Sequence, residues 1–279
     1  MNVVRLAHEA HSTSSAAAVA PLLAVVTIAT GYVVLARRAQ RWNDRRTAAF
    51  LGGCVVLTVA LTPGLSPYPV GDFRGHMLQH LLIGMVAPTC LALGAPMSLA
   101  LRGIPVDRRR LAATILRSHG VRLLTHPTTV LTLTVGGLVA LYATPLAGAV
   151  DDHPAVHHLV HLHFLVSGYL FAWLIAGPDP APRRPTVRAR LVLLGIAVAA
   201  HSALSQLMYA GVLGNADIPA AELRGAATLM YYGGDIAELA LAVALVTTWR
   251  PDRRTTVERS PGQATATSSR LSPPRRQRF

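Results

Sequence analysis

Gly75-His76-Met77-Leu78-Gln79-His80 opens the stretch that decides the fold, Phe73–Leu101. After Arg74 it runs through Leu81-Leu82, Ala87-Pro88 and Leu93-Gly94-Ala95-Pro96 to Leu101 without a formal charge, and Arg102 closes it. A run of that length is sized for a bilayer, where a helix needs ~20 apolar residues. Its first turn nevertheless carries His76 and His80, a spacing that stacks both imidazoles on one helix face. A polar face suited to metal binding therefore sits at one end of a membrane span.

The composition agrees. Of 279 residues, 52% are hydrophobic and 14% are charged, against about 25% charged in an ordinary soluble domain. The chain reads as an all-α, polytopic membrane bundle. Its apolar runs predict seven transmembrane helices: Ala16–Leu35, Ala48–Leu65, Met77–Leu101, Val130–Val150, Val156–Ala176, Leu191–Leu213 and Ala226–Trp249. The first is too long for a signal-peptide core and meets arginines where a cleavage site belongs, so it is read as a retained span. Three segments follow: a short extracytoplasmic N-terminus (1–15), a seven-helix membrane domain (16–250) and a basic tail (251–279). The tail is rich in Arg, Ser, Pro and Thr, which predicts disorder.

Charge sets the orientation. All 26 basic residues are arginine, and the net charge is +13. With seven spans the loops alternate sides, which puts 23 arginines on one side and only Arg5, Arg74 and Arg224 on the other. The positive-inside rule then predicts an N-terminus outside and a C-terminus in the cytoplasm, in the plasma membrane. Topology and anionic lipid account for the basic charge, so no nucleic-acid partner is expected. Cys54 and Cys90 lie inside apolar runs and read as inert buried thiols with no disulfide framework. No nucleophile motif, phosphate loop, nucleotide fingerprint or internal repeat is present, and an enzyme is not supported.

Placed by depth along these spans, the polar residues concentrate in the outer half. His76 and His80 begin span three. His153, His157 and His161 share a stripe at the start of span five, beside His158. His201, Ser205, Met208 and Tyr209 follow the one-face spacing of a helix on span six, and Asp235 and Glu238 lie one turn apart on span seven. Ionisable groups within spans are costly, so they face the bundle interior and mark function. For Asp235 and Glu238 the plain alternative is a helix–helix hydrogen bond or a histidine pair. His163 lies off the stripe and reads as a lipid or packing residue. His119 and His126 read as structural, and His8 and His11 as residues of a flexible end.

Imidazole suits copper, zinc, iron and nickel, while thioether selects copper(I). Met77, Met208 and Met230 fall near the outer ends of their spans, which gives copper the edge although methionine also packs. Haem is the alternative, with His80 and His161 as axial ligands from facing spans. Gly233-Gly234 is expected to admit a neighbouring backbone beside Asp235 or to loosen the helix there.

Several blocks resemble a known family. His76-Met77-Leu78-Gln79-His80-Leu81-Leu82 with Ala87-Pro88 and Leu93-Gly94-Ala95-Pro96 is similar to the third-span signature of the bacterial CtaG family, the membrane assembly factors of caa-type cytochrome c oxidases. His157-His158-Leu159-Val160-His161, Gly168-Tyr169-Leu170-Phe171-Ala172-Trp173 and Gly177-Pro178-Asp179-Pro180 resemble its fifth-span block. Leu229-Met230-Tyr231-Tyr232-Gly233-Gly234-Asp235 with Glu238 resembles its last-span block. The resemblance covers roughly Ala48 to Arg250. At Glu222-Leu223-Arg224-Gly225 many members carry an Asp-Gln pair instead, which leaves the turn before span seven without an assigned role. Some members are fused to a copper-resistance membrane domain, for which 279 residues are expected to leave no room.

The resemblance implies a role in maturing the terminal oxidase, with cytochrome c oxidase subunits as partners and copper as the metal handled. The expected metal ligands are His76, His80, His157 and His161, with imidazoles from spans three and five meeting in one pocket. His158, His201, Met208, Asp235 and Glu238 are expected to support them or to serve as alternate ligands. The competing expectations are a haem-binding redox protein, a proton-coupled transporter using Asp235 and Glu238, and a scaffold without a ligand.

Overall fold

The computed structural model describes residues 3–248 apart from 70, 106–113, 115, 117, 145–153, 182–183 and 215–217, with backbone alone for 3–18, 63 and 154. Every regular element among the described residues is helical. In chain order they are α1 (Val3–Arg38), α2 (Asp44–Leu61), a short 3-10 turn (Pro63–Leu65), α3 (Phe73–Leu81), a π-helical turn (Leu82–Val86), α4 (Ala87–Leu93), α5 (Pro96–Gly103), α6 (His119–Leu124), α7 (Pro127–Ala143), α8 (Pro154–Ile175), α9 (Val187–Tyr209) and α10 (Ala220–Thr248). By length and composition five helical stretches suffice to cross a membrane: Val19–Arg38, Phe73–Leu93, Ala155–Ile175, Val187–Tyr209 and Ala220–Thr248. Pro127–Ala143 is a shorter apolar helix, and α2 carries Asp44, Arg45 and Arg46 in its first turn. The outward faces of α1 and α10 are aliphatic, with Leu23, Val26, Ile236, Leu239 and Val246 all exposed. Such a belt suits lipid rather than water.

Several boundaries differ from the sequence expectation, among them the ends of α2, at Leu61 rather than Leu65, and of α9, at Tyr209 rather than Leu213. The third span ends at Leu93, eight residues before Leu101. Pro96 offers no N–H and crowds the residue before it out of the right-handed helical region. Ala95 accordingly turns left-handed, at φ +53°, and α5 restarts with proline in its first turn. The fourth span is helical to Ala143, and residues 145–153 lie outside the described set, His153 among them. The N-terminal segment is helical from Val3, continuous with the first span. The tail 251–279 also lies outside the described residues.

Close backbone contact joins the π turn and α4, which continue α3, to α8. At the π turn the helix slips one residue, and the Ala87 N–H reaches back to the Leu82 carbonyl. Two residues on, Pro88 supplies no donor. Gly168 of α8 presses on this irregular turn, where an added Cβ would collide with the Gly84 carbonyl and the Pro88 ring. Small residues let backbones approach this closely where lipid supplies no hydrophobic drive between helices. Gln79 ties the same helix to its other neighbour by donating to the Ala60 carbonyl at 2.8 Å, one of the terminal carbonyls of α2 that have no helical partner.

At the end opposite His76, two proline-containing loops lock together. The Asp179 carboxylate is fully buried and accepts from the Met97 N–H at 2.9 Å and the Ser98 N–H at 2.7 Å. It thereby caps the exposed start of α5. Arg184 donates to the carbonyls of Gly177 and Asp179. The Tyr32 hydroxyl donates to the Gly94 carbonyl at 2.7 Å, and its ring stacks on Phe50. Leu93-Gly94-Ala95-Pro96 and Gly177-Pro178-Asp179-Pro180 are thus two halves of one joint.

Two stability predictions follow. Gly168→Ala is expected to destabilise the bundle by on the order of 1–3 kcal/mol or more, read as a lower melting temperature in detergent. Gly195→Ala, which meets nothing within 4 Å, is expected to leave it unchanged. Asp179→Ala removes a helix cap and is expected to cost about 1–2 kcal/mol; an unchanged melting temperature would show that the joint contributes nothing.

Candidate functional site

The site begins with the anchoring of α3. Asp72 is its N-cap and accepts from the Arg74 N–H at 2.8 Å, while its second oxygen pairs with the Arg74 guanidinium at 2.6 Å. That guanidinium holds the Asp72 carboxyl below the usual carboxylate range. Glu222, at the start of α10, accepts from the Phe73 N–H at 3.3 Å. The turn that the sequence left without a role therefore caps α3 from a second helix, and two helix starts meet where His76 emerges.

From this end three imidazoles converge. The His76 ring of α3 and the His157 ring of α8 lie 6.4 Å apart between centroids, edge to face. His161, one turn along α8, lies 4.2 Å from His157. His158 is exposed and 5.9 Å from His157 on its other side. Phe73 stacks on His76 at 5.9 Å. The two helices named by the sequence do bring their histidines together.

His80 does not join that group directly. Its ring is 5% exposed and stands edge-on to Phe164 at 4.1 Å and to Tyr142 at 5.9 Å. His76, His161 and His201 all lie close enough to act on it electrostatically. The expected four-histidine set is thus three rings at the end of the bundle and one deeper. Among the described residues, no three His, Cys, Asp or Glu side chains stand together closely enough to hold a metal ion as they are. Cys54 is buried on α2 and Cys90 half-buried on α4.

A second polar group lies beneath. The His201 Nε2 is 3.2 Å from the Met230 carbonyl, which can only accept, so this nitrogen carries the hydrogen. Nδ1 faces Glu238 Oε1 at 3.9 Å. Glu238 is 6% exposed, and its Oε2 has no protein hydrogen-bond partner. Gly234 makes room for the ring, since an added Cβ would stand 2.7 Å from His201 Nε2. The neighbours of Gly233-Gly234 are therefore the side chains of Leu81 and His201, not a backbone. Asp235 is half-buried one turn away. Ser205 donates to the His201 carbonyl at 2.9 Å and Met208 is fully buried, but Tyr209 turns out, 55% exposed. His163 bonds the Leu133 carbonyl at 3.2 Å, a packing role.

The methionines gather too. Met77, Met208 and Met230, from α3, α9 and α10, are fully buried in one cluster with Tyr142 and Phe164. The Tyr142 hydroxyl donates to the Met77 sulfur at 3.6 Å. A cavity of about 50 Å³ lies between His80, Phe164, His201 and Glu238.

Comparison with known proteins places these features in a family. The model for the cytochrome c oxidase caa3 assembly factor matches residues 26–252. The uncharacterized protein Mb0105 of Mycobacterium bovis and the uncharacterized protein MT0111 of Mycobacterium tuberculosis are each 32% identical over 255 residues, covering 84% of this chain and 39% of the relative. The uncharacterized protein ML1998 of Mycobacterium leprae is 33% identical over 208 residues, covering 72% of this chain and 31% of the relative. The chain thus spans about two fifths or less of the length of these curated relatives. No solved structure matches. With the match extending from the first span to the last, the chain belongs to the caa3-type cytochrome c oxidase assembly factor family.

Proposed function

We propose that this chain is a seven-helix plasma-membrane protein, N-terminus outside and tail in the cytoplasm, that assists maturation of cytochrome c oxidase by handling copper as cargo. The observation that carries the reading is the approach of His76 to His157, 6.4 Å between ring centroids across two helices, with His161 4.2 Å beyond. Imidazoles on separate helices form a shared ligand set only when those helices are held together, and here Gly168 and the π turn hold them. Three thioethers buried in one cluster nearby favour copper(I) over harder cations.

In this reading His76, His157 and His161 receive the ion, and exposed His158 assists at the entrance. His80 is the next imidazole inward, and Met208 and Met230 line the route behind it. Side chains close on the ion when it arrives, since the three rings are not in ligand positions beforehand. The partners are the oxidase subunits that carry copper centres. The chain binds and delivers, and no group transfer is assigned to it.

His157→Ala and His76→Ala are each expected to lower the copper(I) retained by the purified protein at least tenfold and to block oxidase maturation while the protein level stays normal. Full oxidase activity in both variants rules the site out. Retained copper with lost oxidase activity would assign the histidines to partner contact instead.

A further inference from the structure

The cavity beneath the histidines has a chemistry of its own. It lies between α3, the π turn, α4, α7, α8, α9 and α10, lined by His80, Gly84, Ser167, His201, Ala237 and Glu238 among others. Its volume is about 50 Å³, room for roughly three waters at 10–15 Å³ each. An apolar void of that size stays empty, but a polar one fills when each water finds two or more partners.

Partners are present. Glu238 is nine-tenths buried, and its Oε2 has no hydrogen bond from the protein. Its Oε1 faces His201 Nδ1 at 3.9 Å, too long for a direct hydrogen bond and short enough for one water to bridge. His201 Nε2 is committed to the Met230 carbonyl, so Nδ1 offers its lone pair to that water. His80 enters the cavity from α3, and the Ser167 hydroxyl from α8 bonds the Phe164 carbonyl only weakly, at 3.4 Å. The ionisable groups lining the cavity are His80, His201 and Glu238; α7 contributes Thr134 and no charge. Asp235, on α10, is half-buried one turn away.

We propose that this cavity is an internal water site, in which water joins Glu238 to His201 and His80 and the Glu238 carboxyl carries one exchangeable proton. A neutral acid facing a neutral imidazole places no net charge in the bundle. An ion pair at 3.9 Å without a direct bond would place two poorly compensated ones there. Exchange is balanced: the carboxyl gives its proton to the bridging water as that water returns one to the other carboxyl oxygen, so no charge is left behind. The inference rests on the cavity and holds whether or not those rings take copper.

Infrared spectroscopy of the full-length protein tests it. The expected result is a carboxylic-acid carbonyl band at neutral pH that moves to lower frequency in D2O, moves again when the protein is labelled with carboxyl-13C glutamate, and is absent from Glu238→Gln. Asp235→Asn should leave the band in place. Absence of a glutamate-labelled acid band overturns the proposal, because Glu238 is then ionised. A labelled band indifferent to prolonged D2O overturns it equally, because the cavity is then dry. If Glu238→Gln does not fold, Glu238→Asp takes its place, and the glutamate-labelled band is expected to be absent from it.

Discussion

The contact of Gly168 with the π turn at Leu82–Val86 governs the rest of the arrangement. Lipid gives two apolar helices no reason to prefer each other, so their association depends on close fit. Here α8 approaches until one glycine lies against the Gly84 carbonyl and the Pro88 ring. That spacing propagates along both helices. Two to three turns nearer their N-termini it places His161 and His157 beside His76, and between them it leaves the cavity that His80 enters. A bulkier residue at Gly168 would separate the rings without touching any of them.

The polar economy of the bundle follows from the same solvent. A peptide group freed by proline or by a helix end has no water to bond within the hydrocarbon layer. Asp72 and Glu222 satisfy the start of α3, Asp179 the start of α5, and Gln79 a terminal carbonyl of α2. With these ends secured, the polar atoms that remain without protein partners stand out. Glu238 Oε2 is one such atom, and it borders the cavity.

The sequence made much of this legible. Period and charge predicted helices, and each of the seven predicted spans has a helical counterpart. Helical spacing on two spans singled out His76, His80, His157 and His161 before any coordinates, because the second cluster on span five strengthened a pair that alone would read as interfacial histidines. What it concealed depended on distant pairing. Nothing local says that Asp179, quoted only within a block that resembles a family signature, reaches the backbone of Met97 and Ser98. Glu222 looked like a departure from a motif until Phe73 appeared beside it. His80 shares a helix face with His76, yet the ring turns toward Phe164 and the cavity, because one more turn of depth changes its neighbours. Tyr209 fits the periodicity of His201 and Ser205 yet faces outward, since a helix of 3.6 residues per turn drifts off any strict stripe.

The central claim is that imidazoles from α3 and α8 serve one ion. X-ray absorption at the copper edge, on the full chain loaded with copper(I), addresses it most directly. The account predicts a first shell containing imidazole nitrogen, with one such ligand fewer in His76→Ala and one fewer in His157→Ala. A shell of sulfur alone, or spectra identical across the native protein and both variants, would contradict it.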